Sequence, residues 1–279
     1  MMLSHTAAAT LRKSLILTLL VLVAALMMFP LVWMMSTSLK PIYKVMTFPP
    51  ELWPSPMMWS NYAELFQHYP VARSMSNTVY ITAMNIVGKL LSCTIVAYGF
   101  AKYRAPGRDF LFMLLLATMM IPWAVTMVPL FILYKEIGWY DTFLPLWVPA
   151  FFGDAFSIFL LRQFILAIPR ELEEAARIDG AGVLRLIGQV IVPNIKPALT
   201  VVALFSFFHT WNDFLGPLLF LSDSDKATLQ IAIQNMRTQF TIQWNLMMAL
   251  SVVSVVPCLV VFFFGQKQLV EGITLTGVK

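Results

Sequence analysis

IPRELEEAARIDGAGVLRLIGQVIVPNIKP, residues 168–197, lies between two long apolar segments, and eight of its thirty residues are charged in a chain that is 12% charged overall. Pro169 suits the first turn of a helix, where its missing N–H costs nothing. Glu171, Glu173 and Glu174 follow in the first turns, where carboxylates favour the positive end of the helix dipole. Leu172, Ala175, Ala176 and Asp179 fall on i, i+3, i+4, i+7 rows, and Glu173 is spaced to pair with Arg177 at i, i+4. Asp179-Gly180-Ala181-Gly182 then breaks this short helix with residues that tolerate a sharp turn, Gly180 letting two short helices join at an angle where a Cβ clashes. A second amphipathic helix is expected, with Val183, Ile187, Val190 and Ile191 on one face, and Pro193 and Pro197 mark its end. A charged helix pair between apolar segments reads as a structure lying at a membrane surface and shaped to engage something outside the bilayer. Its four acids make an anionic bilayer a poor partner.

The rest of the chain supplies the membrane. Over 279 residues it is 59% hydrophobic and 14% aromatic, with mean hydropathy +0.77, too apolar for a soluble globular domain. Six runs reach or approach the ~20 residues that cross a ~30 Å hydrocarbon core as a helix. They cover about 14–35, 76–100, 110–134, 142–166, 198–221 and 246–265. The first follows Arg12-Lys13 but is too long for a signal-peptide core and ends with Pro30 and Trp33 instead of a cleavage site, so it is expected to stay as a span. With six spans and the N-terminus inside, twelve Lys/Arg lie on the inner side, Lys267 and Lys279 among them, and six on the outer. That bias places residues 168–197 and both termini in the cytoplasm. The net charge of +5 then reflects topology and contact with anionic lipid, not nucleic acid, because the basic residues form no compact soluble patch.

Between the spans, residues 36–75 form the longest outer loop, rich in proline and carrying Trp53, Trp59 and Tyr62, with a short helix expected near 61–67. The division expected is an N-terminal helix and outer loop over 1–75 and a five-helix core over 76–270. Pro106-Gly107 marks a tight inner turn. Pro122 and Pro129 are expected to kink the third span, and Pro145 and Pro149 the fourth, either around a path or as plain bends. The outer loop over 222–245 is polar, with Gln230, Gln234, Asn235, Gln239 and Gln243.

Polar residues inside spans face a cavity or a partner. Asn77, Asn85 and Lys89 lie on the second span, Asp154 near the middle of the fourth, and His209, Trp211, Asn212 and Asp213 in the outer half of the fifth. Sugars need aromatic faces with amides or carboxylates, so a sugar path is one reading of these positions. Interhelical hydrogen bonds, or a salt bridge from Lys89 to an aspartate, are the other. Cys93 and Cys258 read as small buried hydrophobes, and no His/Cys cluster suggests a metal. No G-x-x-x-x-G-K-[ST] phosphate loop is present, so any ATP hydrolysis belongs to another chain, and no residue is expected to be catalytic.

Glu174-Ala175-Ala176, then Gly180 after three residues, then Val190 and Val192-Pro193 after nine more, resembles the EAA signature of binding-protein-dependent ABC importer permeases. The departure is Val at both aliphatic positions, which keeps the apolar face. Glu174 to Ala181 as EAARIDGA, the six spans, and Trp211-Asn212-Asp213 look like the carbohydrate branch, and within it the smaller permease of maltose-type importers. The resemblance implies an all-α membrane protein with the type I importer (MetI-like) fold and a cytoplasmic coupling helix. Glu173, Glu174, Ala175, Ala176, Arg177, Asp179 and Gly180 are its expected contacts to a cytoplasmic ATPase. It further implies a second homologous permease, two copies of the ATPase carrying ATP and Mg, an extracytoplasmic solute-binding protein and a bacterial inner membrane. The cargo implied is a mono- or oligosaccharide, or a related polyol or glycerophosphate, moved by alternating access. Asn77, Asn85, Lys89, Asp154, Trp211, Asn212 and Asp213 are candidates for its path, although in maltose-type importers the partner permease supplies most substrate contacts. An ion-coupled secondary transporter is the alternative, but it has no need of a surface helix pair with this spacing.

Overall fold

The computed structural model describes residues 2–237 and 242–274, with side chains described over 11–237 and 242–267. Gln239 and Lys279 therefore lie outside the described residues. In chain order the helices are α1 (Met2–Ser38), α2 (Ser60–His68), α3 (Val71–Lys102), α4 (Arg108–Thr118), α5 (Trp123–Glu136), α6 (Leu144–Trp147), α7 (Ala155–Leu166), α8 (Arg170–Ile178), α9 (Val183–Leu186), α10 (Val192–Asn194), α11 (Lys196–Trp211), α12 (Leu215–Phe220), α13 (Leu229–Arg237) and α14 (Trp244–Thr274). No strand occurs among the described residues. An all-helical backbone satisfies its own hydrogen bonds, which hydrocarbon cannot do for it.

Four stretches are long and apolar enough to cross a bilayer as they stand: 11–38, 71–102, 144–166 and 244–267. Two further pairs pass only as bent units, α4 with α5 at 96° and residues 183–194 with α11 at 85°. The third expected span, 110–134, is therefore two helices instead of one kinked rod. Ile121 precedes Pro122, and a residue before proline is pushed out of the α region. Pro122 itself is extended at ψ 138° and opens α5, while Pro129 is absorbed inside α5.

The fourth span departs from a regular helix as well. Pro145 and Pro149 sit in the first turns of α6 and of the 3-10 turn Val148–Phe152, and Gly153 at φ +99° breaks the run before α7. Asp154 is thus the N-cap of α7, not a mid-helix residue, and its carboxylate accepts from the Ser157 amide at 2.9 Å. The fifth span, expected over 198–221, begins at Lys196 and stops at Trp211. Asn212 Nδ2 donates to the Phe208 carbonyl at 2.9 Å, and Asp213 Oδ1 accepts from the Gly216 amide at 3.0 Å. Both amide and carboxylate compete with helix continuation, and α12 resumes only at Leu215.

The described chain forms two compact units. One comprises Met1–Tyr69 and Ile233–Val256. Its polar centre is Asn61, whose Nδ2 donates to the Ser38 and Lys40 carbonyls at 2.8 and 3.0 Å and whose Oδ1 accepts from Asn245 at 3.2 Å. Lys40 is buried with its ammonium 4.2 Å from the centre of the Trp33 ring, an aromatic face that partly replaces lost water. Leu65, Met236, Leu246, Met247, Ala249 and Leu250 are its buried apolar side chains among the described residues.

The second unit comprises Pro70–Ala232 and Pro257–Lys279, with α3 as its spine. α3 packs on α7, α11 and the 3-10 turn. Small residues let these backbones approach: Gly88 faces the Phe151 ring, and Ser92 Oγ donates to the Ala150 carbonyl at 2.8 Å. Cys93, Ala97, Tyr98 and Ala101 of α3 join Ile158, Leu161 and Ile165 of α7 and Leu186, Ile187, Ile191 and Ile195 of the charged island in one apolar cluster. The island is therefore seated on the core at the Lys102 end of α3.

Candidate functional site

α8 ends as a Schellman motif. Gly180, at φ +79°, donates to the Arg177 carbonyl at 3.0 Å, and Ala181 donates to the Ala176 carbonyl at 2.9 Å. This left-handed residue closes the last carbonyls of the helix and turns the chain toward α9. The face of α8 differs from the expected rows. Glu173 is buried and Ala176 half-buried, whereas Leu172, Glu174, Ala175, Arg177 and Asp179 are exposed. Glu173 pairs with Lys102 of α3 at 2.7 Å and not with Arg177, because its side chain points to the core where Lys102 emerges. Ile178 is 87% exposed and Leu184 78% exposed.

The second helix of the island is also rearranged. Ile187–Ile191 winds as a π-turn between α9 and α10. Leu186, Ile187 and Ile191 are buried, Val190 is half-buried, and Val183 is exposed. Widening the helix by one residue per turn shifts which side chains share a face, and such π segments recur at functional sites.

A cavity of about 700 Å³ opens between α3, α6, α11 and α12, within the roughly 300–1,000 Å³ common for ligand pockets. Three of the expected path residues line it: Asn85, Asn212 and Asp213. Thr78, Trp123, Phe208, His209, Thr210 and Thr228 also line it. Asn85 donates to the Leu146 carbonyl at 3.1 Å, but its Oδ1, with Thr210 Oγ1 and Thr228 Oγ1, is buried and has no hydrogen-bond partner among the described residues. A polar molecule entering the cavity meets one acceptor and two hydroxyls there.

The other four expected path residues lie elsewhere. Asn77 donates to the Asp225 and Ala227 carbonyls, both at 3.0 Å, and holds the loop after α12. Asp154 spends its carboxylate on the α7 N-terminus, so it forms no ion pair with Lys89, and Lys89 makes none among the described residues. Trp211 is 2% exposed and stacks on Phe207 at 5.2 Å.

Beside the cavity wall, Asp141 clamps the loop after α12. Its carboxylate accepts from Lys226 Nζ at 2.9 Å and from the Ser222 and Asp223 amides at 3.0 Å. The Lys226 bond, then the two amides, pull its pKa down to about 2. Among the described residues no group of His, Cys, Asp and Glu is arranged to hold a metal ion.

Residues 93–274 match the model of the family described as binding-protein-dependent transport system inner membrane component. The arabinooligosaccharides transport system permease protein AraQ of Halalkalibacterium halodurans is 31% identical over 260 residues, covering 92% of this chain and 93% of that protein. The lactose transport system permease protein LacG of Rhizobium radiobacter is 29% identical, covering 90% of this chain and 91% of its own. In fold, the chain is similar to a subunit of a bacterial ABC transporter involved in import of the acidic polysaccharide alginate, with a TM-score of 0.83 at 24% identity over 91% of this chain and 95% of the other.

Proposed function

The chain belongs to the family of binding-protein-dependent transport system inner membrane components, and from that premise we propose that it is the permease subunit of an ATP-driven importer that moves a sugar into the cytoplasm by alternating access. Relatives named for arabinooligosaccharides and for lactose support a saccharide cargo. Six spans, counting each bent pair as one, carry both termini on the cytoplasmic side, supported by the twelve-to-six distribution of Lys and Arg. The chain binds no cofactor of its own. ATP and Mg sit on two copies of a separate ATPase, a second homologous permease completes the pathway, and an extracytoplasmic solute-binding protein delivers the sugar. Membrane lipid covers the remaining apolar helix surfaces.

The observation that carries this reading is the outer surface of the charged island. Ile178 and Leu184 lie on either side of the Gly180 turn with most of their surface exposed, amid exposed charges at Glu171, Glu174, Arg177 and Asp179. Burying one such side chain is worth roughly 1.5–3 kcal/mol, and a protein groove with a charged rim is the partner that gains it. α8 is then the coupling helix, with Glu174, Ala175, Arg177, Asp179 and Gly180 at the ATPase and Ala176 on its inner side. The ~700 Å³ cavity, with Asn85, Asn212 and Asp213 in its wall, is this subunit's share of the sugar path.

The test is reconstitution with the second permease, the ATPase and the binding protein, scored by uptake of a panel of labelled mono- and oligosaccharides. The joint replacement Glu174→Ala and Gly180→Ala should leave insertion and ATP hydrolysis intact while lowering uptake at least tenfold. Uptake at the unmodified level would sink the coupling role.

A further inference from the structure

Glu173 is 6% exposed, while Glu171 and Glu174 on either side of it are open to solvent. Its Oε1 lies 2.7 Å from Lys102 Nζ, at the last residue of α3. The same ammonium donates to the Ile168 carbonyl at 2.9 Å, in the turn that leads into α8. Tyr98, one helical turn earlier on α3, donates from Oη to Glu173 Oε2 at 3.3 Å. Oε1 makes no hydrogen bond of good direction, so at that oxygen charge, rather than bond direction, holds the ammonium.

Stability alone gives no reason for this arrangement. Removing two charges from water costs about as much as their attraction returns, and an apolar pair of similar volume holds such a contact equally well. A buried pair differs from apolar packing in tolerance: any slide of one helix past the other leaves a charge buried without its partner. Elsewhere α8 meets α3 through Ala176, which is too short to resist sliding, and through Arg177, which reaches the Tyr98 hydroxyl from an exposed position. We infer that Lys102 and Glu173 form a charge latch that fixes α8 to the end of α3, so that the two move as one body, an inference that rests on the coupling role proposed for α8. Lys102 is then a positioning residue for force transfer, and Glu173 faces the core of its own subunit and not the ATPase.

Two amide-exchange measurements test this without a sugar. In the full chain with its partner permease but no ATPase, Lys102→Met should speed exchange across residues 174–178 at least fivefold, and Lys102→Arg should stay within twofold. In the assembled importer, the exchange response of residues 208–216 to ATP plus vanadate should fall by at least half in Lys102→Met and be kept by Lys102→Arg. Unchanged exchange over 174–178 in Lys102→Met overturns the latch. Faster exchange there with a full ATP–vanadate response upholds the latch and instead removes the coupling role from α8. Should Lys102→Met fail to assemble, Lys102→Met with Glu173→Gln leaves no buried charge and should assemble, with exchange over 174–178 at least twofold faster than wild type, because the Ile168 carbonyl has lost its donor and no charge resists sliding. Wild-type exchange in that pair likewise overturns the latch.

Discussion

At Gly180 a Cβ meets no heavy atom within 4 Å, and the backbone sits at φ +79°. Replacement there is a matter of backbone energy alone, about 1–2 kcal/mol for an L-residue in the left-handed region. Gly180→Ala should therefore speed amide exchange at residues 180 and 181, the donors of the α8 cap, about 5- to 30-fold, with Gly180→Asn between it and wild type. Exchange within twofold in Gly180→Ala means the left-handed turn does not hold the cap. Asp141 makes the opposite case, a charge at a positive φ of 57° that aspartate and asparagine both tolerate. Its pKa is about 2, against ~3.9 when unfolded. A depressed folded value means the contribution is complete above about pH 4 and is lost as pH falls through 2. Asp141→Asn should lower protection of the Ser222 and Asp223 amides at pH 7, and the gap to wild type should close near pH 2. A gap of the same size at both pH values assigns the clamp to something other than the carboxylate charge.

α3 shows how one helix reads differently at two glycines. At Gly88 a Cβ falls 2.5 Å from the Phe151 ring, while at Gly99 it meets nothing within 4 Å. Overpacking typically costs ~1–3 kcal/mol, and alanine favours a helix interior over glycine by about 0.5–1 kcal/mol. Gly88→Ala should thus lower the thermal midpoint in detergent and Gly99→Ala should hold or raise it; equal shifts would mean that the α3 approach to the 3-10 turn is not tight. The existence of α1, α3, α7 and α14 was legible because long apolar runs leave no other backbone solution in a membrane. The breaks were not. Both sides of Pro122 are apolar, so a kink and a 96° turn share one hydropathy pattern. The inward face of α8 departs from its periodicity for a related reason. Helical periodicity groups Leu172, Ala175, Ala176 and Asp179 on one face, but the charge of Lys102, seventy-one residues earlier than Glu173, decides which side is buried.

Across the whole molecule, the island was legible and the cavity only partly so. Asn85, Asn212 and Asp213 stand out because a polar side chain in an apolar run needs a reason to be there. Thr78, Thr210 and Thr228 complete the wall unannounced, since threonine can bond to its own helix backbone, as Thr78 does to Ser74 at 2.8 Å. Asp154 and Asn77 stand out equally but cap and tether, so polarity alone does not separate cavity wall from scaffold. On the coupling role proposed for α8, what ties this chain to an assembly is exposed apolar surface where water, not lipid, is the alternative. Ile178 and Leu184 are the two side chains of the island most exposed in that way. If the ATPase groove buries both, removing them forfeits roughly 3–6 kcal/mol, a hundredfold or more in affinity. Ile178→Asp with Leu184→Asp should therefore abolish copurification of the ATPase while the second permease still copurifies, because neither residue belongs to the buried apolar cluster. Retention of the ATPase at wild-type stoichiometry would mean that the groove grips the charged residues alone, and that the apolar shoulders of the Gly180 turn face something else.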